Sequence, residues 1–557
     1  MYKELYKVWL QKADSLYQEE LKAISKDDKA IADRFYQYVS FGTGGMREKL
    51  GGGTNRINTH TIRLAAEGLA QQITAQGDIA KARGVVIAYD TRHFSQEFAY
   101  ETAGVLAANG IQSYLFKESR PTPELSFAVR YLAAYAGVVI TASHNPKEYN
   151  GFKVYGEDGA QLTPKFADEI VAYMEAVENI FAIHTLSKQE LQTSGYCIEI
   201  LEKLDDAYNE ALKTLVPTIG DKELKLVYTP LHGAGLVPTK RALTEAGFMN
   251  MHIVIEQAHQ DGEFSTVNYP NPEEAASFEI AIELGNKVGA ELLLATDPDA
   301  DRLGVAVKNE NSYNILTGNQ LGALLLNYIL LTKQQNGDLG TNSAVIKTIV
   351  TSELGTAIAN SYGIRTFNTL TGFKFITEKI AEFEATGENT FLFGYEESYG
   401  YLAGSFVRDK DAVQIALLTA EMAECYKKQG ITLLDALHNL YDRYGFYQEA
   451  LLSFTFEGID GQKRITSIME QLRKHPPIEF AGIAVTQIED YYIGNLNGLP
   501  KADVVKFILE DDTWICVRPS GTEPKCKVYI GVVKTNAKEA KESIEILKQT
   551  IHHTLEV

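Results

Sequence analysis

Gly137-Val138-Val139-Ile140-Thr141-Ala142-Ser143-His144-Asn145-Pro146 is the stretch around which the chain is organised. Its apolar first half reads as a short buried strand. Asn145-Pro146 then stops the strand and forces a turn. Ser143 and His144 are left at the strand end, where open α/β sheets place their chemistry. The plainer reading of a lone Ser-His pair is a polar turn after a strand. An α/β-hydrolase elbow needs small glycines two residues either side of the serine, and those positions hold Thr141 and Asn145. A Ser-His-Asp triad stays open, although adjacent Ser and His in a turn rarely face each other in line.

A chain of 557 residues is long enough for several domains. Apolar residues at 45% and charged residues at 23% are ordinary for a soluble globular protein. The net charge of −20 argues against a nucleic-acid partner, which wants a basic surface. It also means that a phosphate ligand would need its own local cluster of Arg, Lys and backbone N–H groups. Cys197, Cys425, Cys516 and Cys526 are scattered without C-x-x-C spacing, which suits a reducing compartment and neither a disulfide framework nor a zinc site. No run approaches the ~20 apolar residues of a membrane span, so no membrane partner is expected. Met1 to Ile24 reads as one amphipathic helix rather than a signal peptide, and the expected location is cytoplasmic.

Taken in order, Phe41-Gly42-Thr43-Gly44-Gly45-Met46-Arg47 and Gly51-Gly52-Gly53-Thr54 read as flexible loops where backbone approaches something closely. The strand Val85 to Asp90, a helical stretch Glu97 to Asn109, the strand Gln112 to Phe116, and the loop Pro121-Thr122-Pro123-Glu124 before a helix precede the serine strand. This alternation means βαβ units and a mostly parallel sheet. The pattern restarts with Leu224 to Tyr228, Ile253-Val254-Ile255 and Glu291 to Ala295. It restarts again with Ser343 to Val350 and Phe391 to Gly394. Beyond the helical stretch Asp411 to Gln429 the character changes. Strands at Glu449 to Phe456, Trp514 to Val517 and Val528 to Val533 are followed by a helix. Asn536 caps that helix, and its apolar face is Ala540, Ile544, Leu547 and Ile551. This last portion reads as a small α+β domain.

Asp297, Asp299 and Asp301 alternate directly after an apolar strand. In an extended segment they project to one side. Carboxylates that close repel unless something cationic sits between them, and a hard divalent ion with oxygen ligands is the natural solution. An EF-hand is excluded, because Arg302 stands where that loop needs Gly and Lys308 where it needs Glu. A phosphatase that places Asp-x-Asp carboxylates on Mg²⁺ at a sheet edge stays open. Arg518-Pro519-Ser520-Gly521-Thr522, with Lys525 nearby, is a local positive cluster with hydroxyl and N–H donors.

Thr141 to Pro146, Tyr149-Asn150-Gly151-Phe152-Lys153, Asp297 to Arg302, Gly394-Tyr395-Glu396-Glu397-Ser398 and Arg518 to Thr522 together resemble the motifs of the α-D-phosphohexomutases, in that family's order. Within it they look most like the bacterial phosphoglucomutases related to the phosphopentomutase branch. The resemblance implies three similar α/β domains with mixed sheets plus a C-terminal α+β domain around a central cleft. The spans expected are 1–211, 212–318, 319–444 and 445–557. It implies that Ser143 carries a phosphoryl group and that Ser143, Asp297, Asp299 and Asp301 hold Mg²⁺. Arg47 would approach the phosphoserine, and Lys153 or His144 would shuttle the proton. Arg302, Thr371, Glu396, Ser398, Lys410, Arg518, Ser520, Gly521, Thr522 and Lys525 would bind the substrate.

The implied reaction interconverts α-D-glucose 1-phosphate and glucose 6-phosphate, with glucose 1,6-bisphosphate as intermediate and activator. Phosphomannomutase, phosphopentomutase or silent sugar-phosphate binding are the alternatives. The sequence leaves the oligomeric state open.

Overall fold

The structure is a computed structural model. It describes residues 2–42, 44–216, 222–456, 458–520 and 525–555, with 458–460 and 462 described by backbone only. The chain divides into two compact units, residues 1–317 with 398–427, and residues 318–397 with 428–557.

In the first unit, one sheet is centred on Val85–Tyr89 and Ala136–Ile140, which run parallel and are buried along their whole length. Continuous apolar strands of this kind are covered on both faces. Helices Ser95–Ala108 and Thr122–Tyr131 pack on them. Parallel pairing extends outward through Ser113–Phe116 to Cys197–Ile200. On the other side the direction reverses. Tyr149–Tyr155 returns antiparallel to the serine strand, and Gly45–Lys49 pairs antiparallel to it in turn. The sheet is therefore mixed, not mostly parallel, because Asn145-Pro146 turns the chain straight back instead of feeding a helix.

The glycine-rich segment read as a loop is also an element. Phe41–Gly42 and Gly45–Lys49 form a short hairpin at the sheet edge. Gly45 sits opposite Lys153 with φ +156°. A Cβ there would lie 2.2 Å from the Phe152 carbonyl oxygen. The close approach anticipated for these glycines is thus the approach of one strand to the next.

A second sheet in the same unit orders Ser312–Ile315, Leu303–Asn309, Leu292–Thr296, Leu226–Thr229 and Met251–Ile253. Leu292–Thr296 is parallel to Leu226–Thr229 and antiparallel to Leu303–Asn309. The segment Asp297 to Arg302 is the tight connection of that antiparallel pair.

Two sequence expectations shift. Met1 to Ile24 is two helices, Tyr2–Lys12 and Ser15–Ala23, broken where Asp14 turns extended at ψ 152°. The strand expected at 253–255 ends at Ile253, and Ile255–Gln257 is a 3₁₀ turn.

In the second unit, Ser343–Thr348 lies parallel to both Arg365–Thr369 and Thr390–Glu396. The C-terminal sheet is antiparallel throughout, in the order Phe446–Thr455, Lys525–Lys534, Trp514–Pro519, Val505–Leu509, Ile483–Asp490 and Glu479–Phe480. The helix Ala537–Thr554 closes it with Ala540, Ile544, Leu547 and Ile551 buried, and the Asn536 side chain accepts from the Glu539 N–H. The fold is α/β with a C-terminal α+β portion.

Replacing Gly45 by Ala should separate the edge hairpin from Tyr149–Tyr155. We expect a loss of ~1–3 kcal/mol, the range for overpacking a site that cannot give way. Urea denaturation of the purified variant measures it, and unchanged stability would contradict the close approach at Phe152.

Candidate active site

Ser143 leaves the strand Ala136–Ile140 in a left-handed backbone conformation, φ +52°. Such a conformation is uncommon for a non-glycine residue and persists only when its surroundings fix it. They do so densely. The Ser143 N–H donates to Thr141 Oγ1 at 2.8 Å, and the Thr141 hydroxyl donates to Asp90 Oδ2 at 2.6 Å. The guanidinium of Arg92 donates to the carbonyls of Pro146 at 2.8 Å and Tyr149 at 3.0 Å, and also to those of Ser143 and Asn145. Arg92 Nε lies 3.2 Å from Asp90 Oδ2, with both side chains fully buried. One arginine thus holds both ends of the serine turn. No local sequence pattern marks Arg92, because the carbonyls it holds lie more than 50 residues away.

The three aspartates converge, but not from an extended segment. Asp297 Oδ1 accepts from the N–H groups of Asp301 and Arg302, the Ala300 N–H donates to the Asp297 carbonyl, and Ala300 takes φ +46°. The loop is a side-chain-stabilised turn, and it brings carboxylate oxygens of Asp297, Asp299 and Asp301 within 4.8 Å of one another. All three residues are buried. Gly233, in the loop after Leu226–Thr229, lets this turn pack close, since a Cβ there would lie 2.5 Å from Pro298 Cα.

At an effective dielectric near 20, two unit charges about 4 Å apart repel by ~4 kcal/mol. The site offsets this with cations. Lys153 Nζ lies 2.8 Å from Asp299 Oδ2 and 3.7 Å from Asp301 Oδ2. Lys410 Nζ lies 3.1 Å from Asp301 Oδ2 and 3.0 Å from Asp409 Oδ1. Tyr155 donates to the other Asp409 oxygen. Against the pull of burial, Lys153 holds Asp299 below the usual carboxylate range. Burial, then Asp301 and Asp299, pushes Asp297 well above it.

Ser143 and the triad meet. Ser143 Oγ donates to Asp297 Oδ2 at 2.7 Å, and His144 Nδ1 lies 3.2 Å from Ser143 Oγ. Burial, then the positive charges of Arg302 and Arg47, holds His144 well below its ordinary range, so it is neutral near pH 7. Arg47 is exposed on the edge strand and donates to Asn145 Oδ1 at 3.0 Å. Arg302 pairs with Glu273. The turn containing Ser398 abuts the aspartate hairpin, because the Leu303 N–H donates to the Tyr399 carbonyl. Thr122 fastens the hairpin from the first sheet's side. Its N–H donates to the Asp299 carbonyl at 2.9 Å and its hydroxyl to Asp299 Oδ2 at 2.8 Å. No sequence signal marked Thr122 beyond its Pro-Thr-Pro setting.

The donor set suits a hard divalent ion. Asp299 Oδ1 and Asp301 Oδ1 are buried without a hydrogen-bond partner, beside Asp297 and the serine oxygen. A buried carboxylate oxygen left so is costly unless a cation meets it. A second cluster, His232, His259 and Asp261, differs. His232 has both nitrogens committed, Nδ1 to the His259 carbonyl at 3.1 Å and Nε2 to Thr266 Oγ1 at 2.9 Å.

The remaining expected residues belong to the second unit. Glu396 is buried at the end of Thr390–Glu396, and Thr371 precedes the helix Phe373–Thr386. Arg518, on Trp514–Pro519, donates to the Tyr529 hydroxyl at 3.2 Å. Ser520 donates its N–H to the Lys525 carbonyl at 2.7 Å. Gly521 and Thr522 lie outside the described residues.

A serine held at a strand end against three converging carboxylates offers a hydroxyl and oxygen ligands of the kind that phosphoryl transfer with a divalent ion uses. Residues 38–180, 206–311 and 317–444 match α/β/α domains I, II and III of phosphoglucomutase/phosphomannomutase, and residues 463–548 match the C-terminal domain of the same family. The chain belongs to the phosphoglucomutase/phosphomannomutase family, the α-D-phosphohexomutases, which are isomerases that move a phosphoryl group within a sugar phosphate. It is 40% identical over 555 residues to a phosphoglucomutase of Staphylococcus aureus, covering 97% of this chain and 98% of that one. It is 37% identical over 549 residues to a phosphoglucomutase of Staphylococcus saprophyticus, with the same coverage. The crystal structure of pp63/parafusin, a phosphoglucomutase from Paramecium, shares the fold at a TM-score of 0.68 and 18% identity, covering 93% of this chain and 95% of that one. Among the described residues no helix is long and apolar enough to cross a membrane.

Replacing Arg92 by Ala should cost about 3 kcal/mol or more, because it leaves Asp90 buried and unpaired and strips the serine turn of its clamp. Denaturant unfolding beside the rate of Ser143 phosphorylation checks this. A stable variant with normal serine phosphorylation would remove Arg92 from the account.

Proposed function

We infer that the chain is a phosphoglucomutase, interconverting α-D-glucose 1-phosphate and glucose 6-phosphate through a phosphoserine at Ser143 and a bound glucose 1,6-bisphosphate. The observation that carries this reading is the 2.7 Å contact between Ser143 Oγ and Asp297 inside a triad with two unpartnered carboxylate oxygens. Its setting is a chain alike along nearly its whole length to proteins named phosphoglucomutase.

Phosphorylated Ser143 gives its phosphoryl group to the free hydroxyl of the bound monophosphate, and the bisphosphate that results turns over. The second phosphoryl group then returns to Ser143 Oγ. Ser143, Asp297, Asp299 and Asp301 would hold Mg²⁺, which neutralises charge on the phosphoryl oxygens. Lys153 or His144 would shuttle the proton of each transfer, and the 3.2 Å contact of neutral His144 with Ser143 Oγ supports the histidine. Lys153, paired with Asp299, and Arg47, bonded to Asn145 two residues beyond the serine, would oppose the charge of the moving group. Arg302 exchanges Glu273 for the phosphoserine oxygens, in which it gains a bidentate anionic partner.

Thr371, Glu396, Ser398 and Lys410 would bind the sugar, with Glu396 and Ser398 on its hydroxyls. Arg518, Ser520, Gly521, Thr522 and Lys525 would clamp the non-reacting phosphate. The division into spans 1–211, 212–318, 319–444 and 445–557 is part of this proposal, supported by one sheet lying in each span. The same reading makes sugar phosphates the binding partners and the cytoplasm the place of work.

Replacing Ser143 by Ala should abolish mutase turnover while leaving the melting temperature near that of the parent. Activity within tenfold of wild type, a barrier change of only ~1.4 kcal/mol, is too much for a protein that has lost its covalent carrier.

Chelation should silence the enzyme and added Mg²⁺ restore it, with Asp299→Asn requiring more Mg²⁺ for half-maximal rate. Full turnover in excess chelator would remove the metal from the reaction. A panel of glucose, mannose and pentose 1-phosphates, assayed with catalytic bisphosphate, tests the sugar. The highest kcat/KM is expected for glucose 1-phosphate.

A further inference from the structure

Three helices of the first unit, Thr122–Tyr131, Glu202–Lys213 and Leu236–Glu245, enclose a cavity of about 40 Å³ away from the aspartate hairpin. Its wall includes Arg120, Glu124, Asp205, Asn209 and Arg241. That volume holds one small ion and a water, or two to three waters, since one water needs ~10–15 Å³.

The lining is unevenly satisfied. Glu124 is 1% exposed, and no N–H donor reaches either of its carboxylate oxygens, whose hydrogen-bonding neighbour is the Asp205 carboxyl. Asn209 is 2% exposed. Its amide nitrogen donates to Glu245 at 2.6 Å, and its Oδ1 has no partner. Three buried oxygens that can only accept therefore face one small space. The neighbouring charges do not cover them. Arg120 is committed to Asp205 by a fork, Nε to Oδ1 at 3.0 Å and Nη2 to Oδ2 at 2.7 Å, and stands 3.9 Å from Glu124. Arg241 is committed to Glu245 and Asp206, each at 2.7 Å. With Arg120 matched to Asp205, one negative charge remains on the wall, that of Glu124.

We propose that this cavity is a monovalent-cation site, taking an ion of potassium or ammonium size on Glu124 Oε1 and Oε2 and Asn209 Oδ1. All-oxygen acceptors suit a hard cation. One uncompensated charge beside a guanidinium suits a single positive charge and not two. Water alone would satisfy the lone pairs but leave the charge unmatched. The site ties the helix that begins with Thr122, the residue bonded to Asp299, to the helix Glu202–Lys213. Its role is to firm the seam on which the aspartate hairpin rests. The competing content is a proton. Burial, and then Asp205, drives the Glu124 carboxyl well above the usual range, and an empty cavity would leave it protonated against Asp205.

The test uses the full-length protein. Melting temperature is measured in potassium, ammonium and tetramethylammonium chloride at equal ionic strength. Crystals grown in rubidium chloride are examined for anomalous scattering. The expected result is a saturable rise of about 2 °C or more in potassium or ammonium over tetramethylammonium, absent in Glu124→Gln. A rubidium peak between Glu124 and Asn209 in the wild-type protein is expected with it. The wild-type crystal decides even if the variant does not fold. Equal melting in all three salts together with no rubidium peak overturns the proposal. So does a Glu124→Gln protein that melts like the wild type in every salt, which would assign the charge to a proton shared with Asp205.

Discussion

The mutual repulsion of Asp297, Asp299 and Asp301 is the constraint on which the rest of the first unit depends. Three buried carboxylates with oxygens inside 4.8 Å do not stay together by themselves. Lys153 arrives from the first sheet, Lys410 from the segment before the helix Ala412–Lys428, and Thr122 from the start of a helix. Asp297 spends one oxygen on its own turn's N–H groups and turns the other to Ser143. Two of the triad's oxygens, Asp299 Oδ1 and Asp301 Oδ1, are left without a hydrogen-bond partner.

The serine turn carries the complementary burden. Its left-handed residue is costly locally, and the cost is met by hydrogen bonds gathered from far along the chain. Asp90 holds Thr141, and Arg92 holds four carbonyls of the turn. A serine fixed in this way would lose little entropy on reaching a transition state, which is how positioning contributes to phosphoryl transfer.

Ser143 and the aspartates were legible in the sequence because each motif is local, an apolar strand followed by polar residues that must turn. The expectation of an extended aspartate segment was wrong in its geometry and right in its consequence, because the Asp297 side chain folds the segment into a turn that gathers the same carboxylates. The strand Tyr149–Tyr155 and the hairpin at Gly45 were less legible. Glycine density signals a close approach without naming what approaches, and here it is the Phe152 carbonyl. Arg92, Thr122 and the contact of Lys410 with Asp301 were not legible at all. Their partners lie from about 50 to 177 residues away, and no local pattern encodes such pairings. The mostly parallel first sheet failed because a two-residue stop, Asn145-Pro146, reverses the chain where a helix was the default.

The central claim is that Ser143 is the oxygen through which the phosphoryl group passes. The most direct measurement is to incubate the protein with Mg²⁺ and glucose 1,6-bisphosphate carrying labelled phosphate, digest it, and locate the label by mass spectrometry. The account predicts one phosphate per chain, on the peptide containing Ser143, discharged when glucose 1-phosphate is added. Label on another residue, or a Ser143 phosphate that glucose 1-phosphate does not remove, would contradict it.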